Sequence, residues 1–265
     1  LVLEAGPERQ LSEMVSSQIW SRRLRWAGPD VKETGDLVGA ANFAMGWGTG
    51  GAGLHWYANW YRLHPDDFKV RSLFGRSLDW PFEYDELRPW YDHAQTYFGV
   101  SGSADRFAPT GAEYPMPSLP LTKQTDAIMK GFDAEGIGIV PNSLAINNGL
   151  YDGRAGCVLD GWCNAGCPIG ALANPLVLQW PRARQAGVAL RHNSYVARIE
   201  TDVSGQRATG VTYIDATGQE NFQPADIIIS ACHTIWNARL LLLSASDKHP
   251  AGLGNRSGTL GKYFT

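Results

Sequence analysis

Apolar residues recur with two different periods along this chain, and the change of period divides it. Within residues 82–99, Leu87, Trp90, Tyr91, Ala94 and Phe98 fall at helical spacing, and Gly99 stands where a helix stops. Residues 122–135 predict a second helix, ended by Gly136. From position 188 onward the period shortens. Val188-Ala189-Leu190 reads as a short strand, and residues 194–201 alternate in strand fashion. Residues 210–214 predict another strand, Ala216-Thr217-Gly218 a turn, and Asn221-Phe222 a short return, together a β-meander. Residues 225–230, with Ile227-Ile228-Ile229 at their centre, predict a strand buried on both faces. A helix over 234–244 follows, and Leu240-Leu241-Leu242-Leu243 reads as its buried face. Residues 1–6 predict a strand and a turn, 46–53 a glycine-rich loop, and 100–120 a Pro-, Ser- and Gly-rich linker. Residues 7–40 follow no single period, and 141–174 are irregular. There is no internal repeat and no low-complexity tract.

Composition narrows the function classes. The 265 residues suffice for one large domain or two modest ones. A net charge of −3 provides no basic face for nucleic acid. No apolar run approaches the roughly 18 residues that span a bilayer. Ten tryptophans fit a large core with packed loops, or an aromatic-lined pocket for a sugar or a flavin ring.

Three segments carry candidate chemistry. Leu1-Val2-Leu3-Glu4, followed by Ala5-Gly6-Pro7, reads as a buried strand that ends on an acid. In a dinucleotide-binding fold such an acid stands about 20 residues after a glycine-rich phosphate loop and accepts hydrogen bonds from a ribose. The expectation is therefore an α/β chain that begins inside a Rossmann-like unit, as an internal piece of a longer enzyme. The loop Gly46-Trp47-Gly48-Thr49-Gly50-Gly51-Ala52-Gly53 is the second segment. Glycines let backbone amides approach a pyrophosphate closely, and they also serve simple turns. The third is Cys157, Cys163 and Cys167, spaced C-x5-C-x3-C with Pro168 following. Three thiolates in one loop suit an iron–sulfur or zinc centre, and a three-ligand set fits a 3Fe–4S cluster better than structural zinc. A disulfide between two of them, or plain packing of the loop, are the alternatives.

Taken together, several segments resemble the glucose–methanol–choline (GMC) flavin oxidoreductases, in particular their bacterial sugar and alcohol dehydrogenase branch. The resemblance rests on residues 1–7, on Gly50-Gly51-Ala52-Gly53-Leu54-His55-Trp56, and on Asp79-Trp80-Pro81-Phe82-Glu83-Tyr84 with Trp90-Tyr91. It continues through Cys163-Asn164-Ala165-Gly166-Cys167-Pro168, Ala225-Asp226, Arg239-Leu240-Leu241-Leu242, Asn255-Arg256-Ser257-Gly258 and Gly261-Lys262. It implies FAD as cofactor, with Glu4 on the adenosine ribose and Gly48, Thr49, Gly50, Gly51 and Gly53 near the flavin nucleotide. It implies the strand position Val196 at the adenine, and Ala231 and Cys232 near the diphosphate and ribose. In related enzymes a His-Trp pair holds the flavin covalently through the His ring, so His55 with Trp56 is the candidate attachment point. The resemblance also implies a 3Fe–4S cluster on Cys157, Cys163 and Cys167 that passes electrons to a cytochrome partner. This chain departs from the family pattern at Cys232, where a small residue is usual, and at Trp236-Asn237-Ala238.

The implied reaction oxidises CH–OH in a sugar, polyol or other alcohol, with hydride transfer to FAD and electrons passed to a cytochrome or quinone. Its histidine base is expected C-terminal to Thr265, so no catalytic residue is assigned. His64, His93, His192, His233 and His249 are read as surface or supporting residues. The alternatives are an oxidase of the same fold and a metal-binding electron-transfer module without flavin. A cytochrome or small subunit is the implied protein partner, with membrane association only through it. The family places such proteins in the periplasm or at a membrane, which the sequence itself does not reveal. The expected organisation is 1–75 and 185–265 as two parts of an FAD-binding domain, with 76–184 as an inserted cap carrying the cysteine loop.

Overall fold

The computed structural model describes residues 1–29, 31, 45–103 and 108–262. Parts of the 7–40 and 100–120 stretches, and Thr265, lie outside the described residues. The elements in chain order are β1 (Val2–Leu3), α1 (Gln18–Arg25), α2 (Val70–Phe74), α3 (Tyr84–Phe98), β2 (Ser101–Gly102), β3 (Met116–Pro117) and α4 (Lys123–Ala134). They continue with α5 (Gln179–Gln185), β4 (Leu190–Arg191), β5 (Tyr195–Thr201), β6 (Ala208–Ile214), β7 (Glu220–Pro224) and α6 (Thr234–Leu243). No helix among the described residues is long and apolar enough to cross a membrane.

The chain forms two compact units, one of Leu1–Gln10, Arg25–Ala52 and Arg182–Thr265, the other of Leu11–Leu24 and Gly53–Pro181. In the first, β1 runs parallel to β4, with Val2 opposite Leu190 and Leu3 opposite Arg191. β5, β6 and β7 form an antiparallel meander. Helix α6 sets Leu240 against Ile199 and Val211, which makes the core of this unit. The β6–β7 turn is closed by Asp215. Its Oδ1 accepts from the Thr217 amide at 2.9 Å, the Thr217 hydroxyl at 2.7 Å and the Gln219 amide at 3.1 Å.

In the second unit, Ala58, Val100, Ala145, Ile146, Leu172 and Leu178 belong to one buried cluster. Helix α3 starts at a capping box between Glu83 and Glu86 and ends on Gly99 in the left-handed conformation. Its buried Gln95, with Arg62 and Asp92, ties the segment at Ala112 to the helix. The Arg62 guanidinium donates to Asp92 at 2.6 Å and to Gln95 at 3.0 Å, while Asp92 accepts from the Ala112 amide at 2.8 Å. Helix α4 is capped by Thr122, whose Oγ1 accepts from the Thr125 amide.

Four expectations change. Residues 225–230 form no strand, and Ile227 and Ile229 are 83% and 86% exposed. A strand needs a paired neighbour, and among the described residues the ladder stops at the Ala225 amide, which donates to the Thr209 carbonyl at 3.1 Å; beyond it only Ile228 of the three isoleucines packs inward, on the Ile199–Val211–Leu240 cluster. The strand expected at 188–190 falls instead at Leu190–Arg191, where β1 pairs with it. In the Leu240–Leu243 run only Leu240 is buried, because a 3.6-residue helix turns Leu242 and Leu243 to the surface. In place of the broad parallel sheet expected, the first unit has among the described residues the single parallel pair β1–β4, and the other parallel pair, β2–β3, lies in the second unit. The observed class is a mixed helix-and-strand fold.

Candidate functional site

Glu4 follows β1, and its carboxylate does a specific job there. Oε1 accepts from the Gly6 amide at 2.7 Å and from the Gly48 amide at 3.1 Å, so the strand end grips the glycine-rich loop. Oε2 has no hydrogen-bond partner among the described residues, which leaves one carboxylate oxygen able to accept from a ligand hydroxyl.

The loop's glycines answer to different demands. A Cβ on Gly46 would stand 2.3 Å from the carbonyl carbon of Gly51, and one on Gly6 only 2.2 Å from the nitrogen of Gly48. Gly48, at φ +116°, would place a Cβ 2.7 Å from the Pro7 carbonyl oxygen. These three are glycines because the chain packs against itself. Gly51 differs: at φ +50° it faces open space, with nothing within 4 Å of a built Cβ. The loop therefore presents one bare backbone face, the feature that lets a phosphate-bearing ligand approach closely.

Thr49 is buried between these glycines. Its amide donates to the Pro7 carbonyl at 3.1 Å, and its hydroxyl oxygen accepts from the Arg9 amide at 3.2 Å. The same hydroxyl meets His192 Nε2 at 2.7 Å. Sequence reasoning set His192 aside as a supporting residue, since its partner lies 143 positions away. Trp47 stacks on Tyr195 at 6.3 Å between ring centroids and meets Trp236 edge-on at 5.9 Å. Arg239 lies over Trp236 and hydrogen-bonds the Tyr195 hydroxyl. This aromatic group beside the loop was likewise not singled out from sequence; Trp236 was noticed only as a departure.

Val196 lies on β5 at a register shift between Val196 and Arg198, where the ladder with β6 is interrupted. Ala231 and Cys232 are exposed in the turn before α6. Asn237 braces that turn, its Oδ1 accepting from the Cys232 amide at 2.7 Å and the Ser230 hydroxyl at 2.8 Å. His233 there has φ +79°, an uncommon conformation for a residue with a side chain. Glu4, Gly48, Thr49, Gly50, Gly51, Val196, Ala231 and Cys232 thus all belong to the first unit.

Gly53, His55 and Trp56 belong to the second unit. Gly53 packs against Pro175, where a Cβ would come within 2.8 Å of the ring. Trp56 is anchored by its Nε1, which donates to the Ala173 carbonyl at 2.9 Å, and His55 beside it is half-buried.

The cysteine loop is the third candidate segment. Among the described residues no group of three or more His, Cys, Asp or Glu side chains stands in a metal-holding arrangement, and Cys157, Cys163 and Cys167 are free thiols. All three pack against the buried cluster of the second unit. The Cys157 sulfur accepts from the Leu159 amide and the Cys167 sulfur from the Leu172 amide, both at 3.3 Å. Two of the three sulfurs are thus engaged by local backbone amides, and the trio is not gathered into a metal-holding group in this structure. Burial pushes the Cys163 thiol above its ordinary range, and Cys167, Cys157 and Asp160 nearby add to that.

No family model matches the chain. It is 32% identical over 219 residues to the fructose dehydrogenase large subunit of Gluconobacter japonicus, an overlap of 81% of this chain and 40% of that protein. It is 34% identical over 226 residues to 2-methyl-1,2-propanediol dehydrogenase of Mycolicibacterium austroafricanum, covering 81% of this chain and 40% of the relative. To the gluconate 2-dehydrogenase flavoprotein of Pantoea cypripedii it is 32% identical over 260 residues, covering 84% and 42%. The chain spans about 40% of the length of these curated relatives. Among solved structures, a formate oxidase variant from Aspergillus oryzae RIB40, studied for its FAD modification, superposes with a TM-score of 0.57 at 16% identity. That overlap covers 92% of this chain and 42% of the oxidase, and it speaks to the fold alone.

Proposed function

Because this chain belongs to the glucose–methanol–choline family of flavin oxidoreductases, we propose that it forms part of an FAD-dependent dehydrogenase acting on the CH–OH group of a sugar, polyol or other alcohol. Three relatives named as dehydrogenases of fructose, gluconate and a diol support this substrate class. The observation that carries the cofactor reading is the join of Glu4 to the glycine-rich loop. One carboxylate oxygen is spent on Gly6 and Gly48, the other is left for a ligand, and Gly51 turns a bare backbone face outward. That combination suits a ribose hydroxyl and a phosphate within one Rossmann-like unit.

Bound to these residues, FAD would supply the hydride-accepting redox chemistry. This chain's own residues bind and orient. Glu4 would accept from the adenosine ribose, residues 48–51 would line the nucleotide, Val196 would offer backbone at the adenine, and Ala231 and Cys232 would stand near the diphosphate and ribose. The electron acceptor in this reading is an external cytochrome or quinone. No electron transfer is routed through Cys157, Cys163 and Cys167.

The test is an absorbance spectrum of the full-length protein carrying this chain, taken before and after acid precipitation. Flavin bands near roughly 370 and 450 nm are expected. Colour retained in the precipitate means a covalent flavin, and its loss in His55→Ala assigns the bond to His55; colour released makes the flavin non-covalent. A colourless protein sinks the flavoenzyme reading. Oxygen consumption with hydrogen peroxide release during turnover of a sugar or polyol identifies an oxidase, whereas turnover with a dye acceptor but little oxygen uptake identifies a dehydrogenase.

A further inference from the structure

We propose that His192 is a positioning residue for the cofactor loop: through the buried Thr49 hydroxyl it holds residues 48–51 in the shape that leaves the Gly51 face open. The inference rests on the flavin reading above for its purpose, and on geometry for its substance.

Glycine-rich loops lose more conformational freedom on ordering than other segments, so a loop with glycines at 46, 48, 50 and 51 needs external ties to stay preformed. Two ties reach it. The first is the Glu4 carboxylate on the Gly48 amide at 3.1 Å. The second is His192 on Thr49 at 2.7 Å, at a residue only 5% exposed. A hydroxyl donates one hydrogen bond and accepts two. The Arg9 amide occupies one acceptor position of Thr49. His192 Nε2 then either receives the hydroxyl proton or donates to the second lone pair, so both neutral tautomers complete the set.

His192 is itself held in place. It occupies the β4–β5 turn, and that turn is bound to the strand end that grips the loop. The Glu4 amide donates to the Arg191 carbonyl at 2.9 Å, the Ser194 amide to the Glu4 carbonyl at 2.9 Å, and the Asn193 amide to the Gly6 carbonyl at 3.0 Å. The Ser194 hydroxyl closes the turn on the His192 carbonyl at 3.1 Å. Asn193 accommodates it at φ +49°, a region Asn tolerates better than most residues. Residues 4–6 thus fix the loop twice, directly through the Glu4 side chain and indirectly through the turn that carries His192. A loop ordered before binding has less entropy to lose when the ligand arrives, and that difference appears as affinity.

The experiment compares His192→Ala, His192→Gln, Thr49→Val and the His192→Ala/Thr49→Val pair in the full-length protein stripped of cofactor. Gln places an amide nitrogen about where the imidazole Nε2 stands, so it can keep the bond. FAD titration followed by flavin fluorescence reads affinity. Hydrogen exchange at the Gly48, Thr49 and Gly51 amides reads loop order without any cofactor, and thermal melting of the apoprotein controls for the fold. His192→Ala is expected to weaken FAD about tenfold, the size of one hydrogen bond's contribution to a preformed site. His192→Gln should recover most of that loss, and the double variant should be no weaker than either single one. Exchange at the three amides should rise in His192→Ala and return in His192→Gln, with the melting temperature little changed. Unchanged affinity and exchange in His192→Ala, or a loss that Gln does not rescue, overturns the proposal. If the unsubstituted protein binds no FAD, the flavin reading fails, and the exchange data alone then decide whether His192 orders the loop.

Discussion

Gly46 and Gly51 lie five positions apart in one loop, yet a methyl group has opposite meanings at the two. At Gly46 it would collide with the backbone of Gly51 at 2.3 Å, and backbone cannot step aside as a side chain can. Gly46→Ala is expected to destabilise the protein by about 1–3 kcal/mol or more, the range for overpacking, read by urea denaturation. At Gly51 nothing lies within 4 Å, so Gly51→Ala should cost only the roughly 1–2 kcal/mol of a left-handed residue bearing a Cβ. Its larger effect should be on flavin binding, where the new methyl stands on the face a phosphate would approach. Equal FAD affinity in Gly51→Ala and the unsubstituted protein would contradict that placement. Sequence shows both residues as glycine; only the packing tells that one serves the chain and the other faces outward.

The β6–β7 hairpin owes its turn to one side chain. Asp215 accepts from the Thr217 hydroxyl, from two backbone amides and from the Asn221 amide at 2.9 Å. The Thr217 hydroxyl first, with the amides and Asn221, lowers the Asp215 carboxyl to about 2. A carboxylate depressed in the folded state adds stability that is complete above its ordinary range and is lost as pH falls through the folded value. Hydrogen-exchange protection of the Thr217 and Gln219 amides should therefore hold from neutral pH to about 4, and drop as pH falls through about 2. Loss of protection already at pH 5 would refute this. The meander, α3 and α4 were legible beforehand because their period, turn residues and stop glycines are local signals. The run 225–230 was not, since an apolar triplet carries no information about whether a partner strand stands beside it.

Across the whole molecule the exposed apolar surface is uneven. Ile227 and Ile229 stand 83% and 86% exposed on a segment that pairs with no strand among the described residues. Expressed as these 265 residues, the polypeptide should bind a hydrophobic dye strongly. The Ile227→Lys/Ile229→Lys variant should cut that binding at least severalfold while shifting stability by no more than about 0.5 kcal/mol, as surface substitutions do. Undiminished dye binding would move the sticky surface elsewhere. By itself the sequence determined the helices with their stops, the antiparallel meander, an acid at a strand end and a loop of glycines, because each is written in residues near one another. Tertiary structure alone decided that Glu4 clamps that loop, that His192 reaches Thr49 from 143 positions away, and that Cys157 and Cys167 turn their sulfurs to separate backbone amides. Spacing along a chain limits which groups can meet; the direction of each side chain, set by the backbone packed around it, determines which of them do.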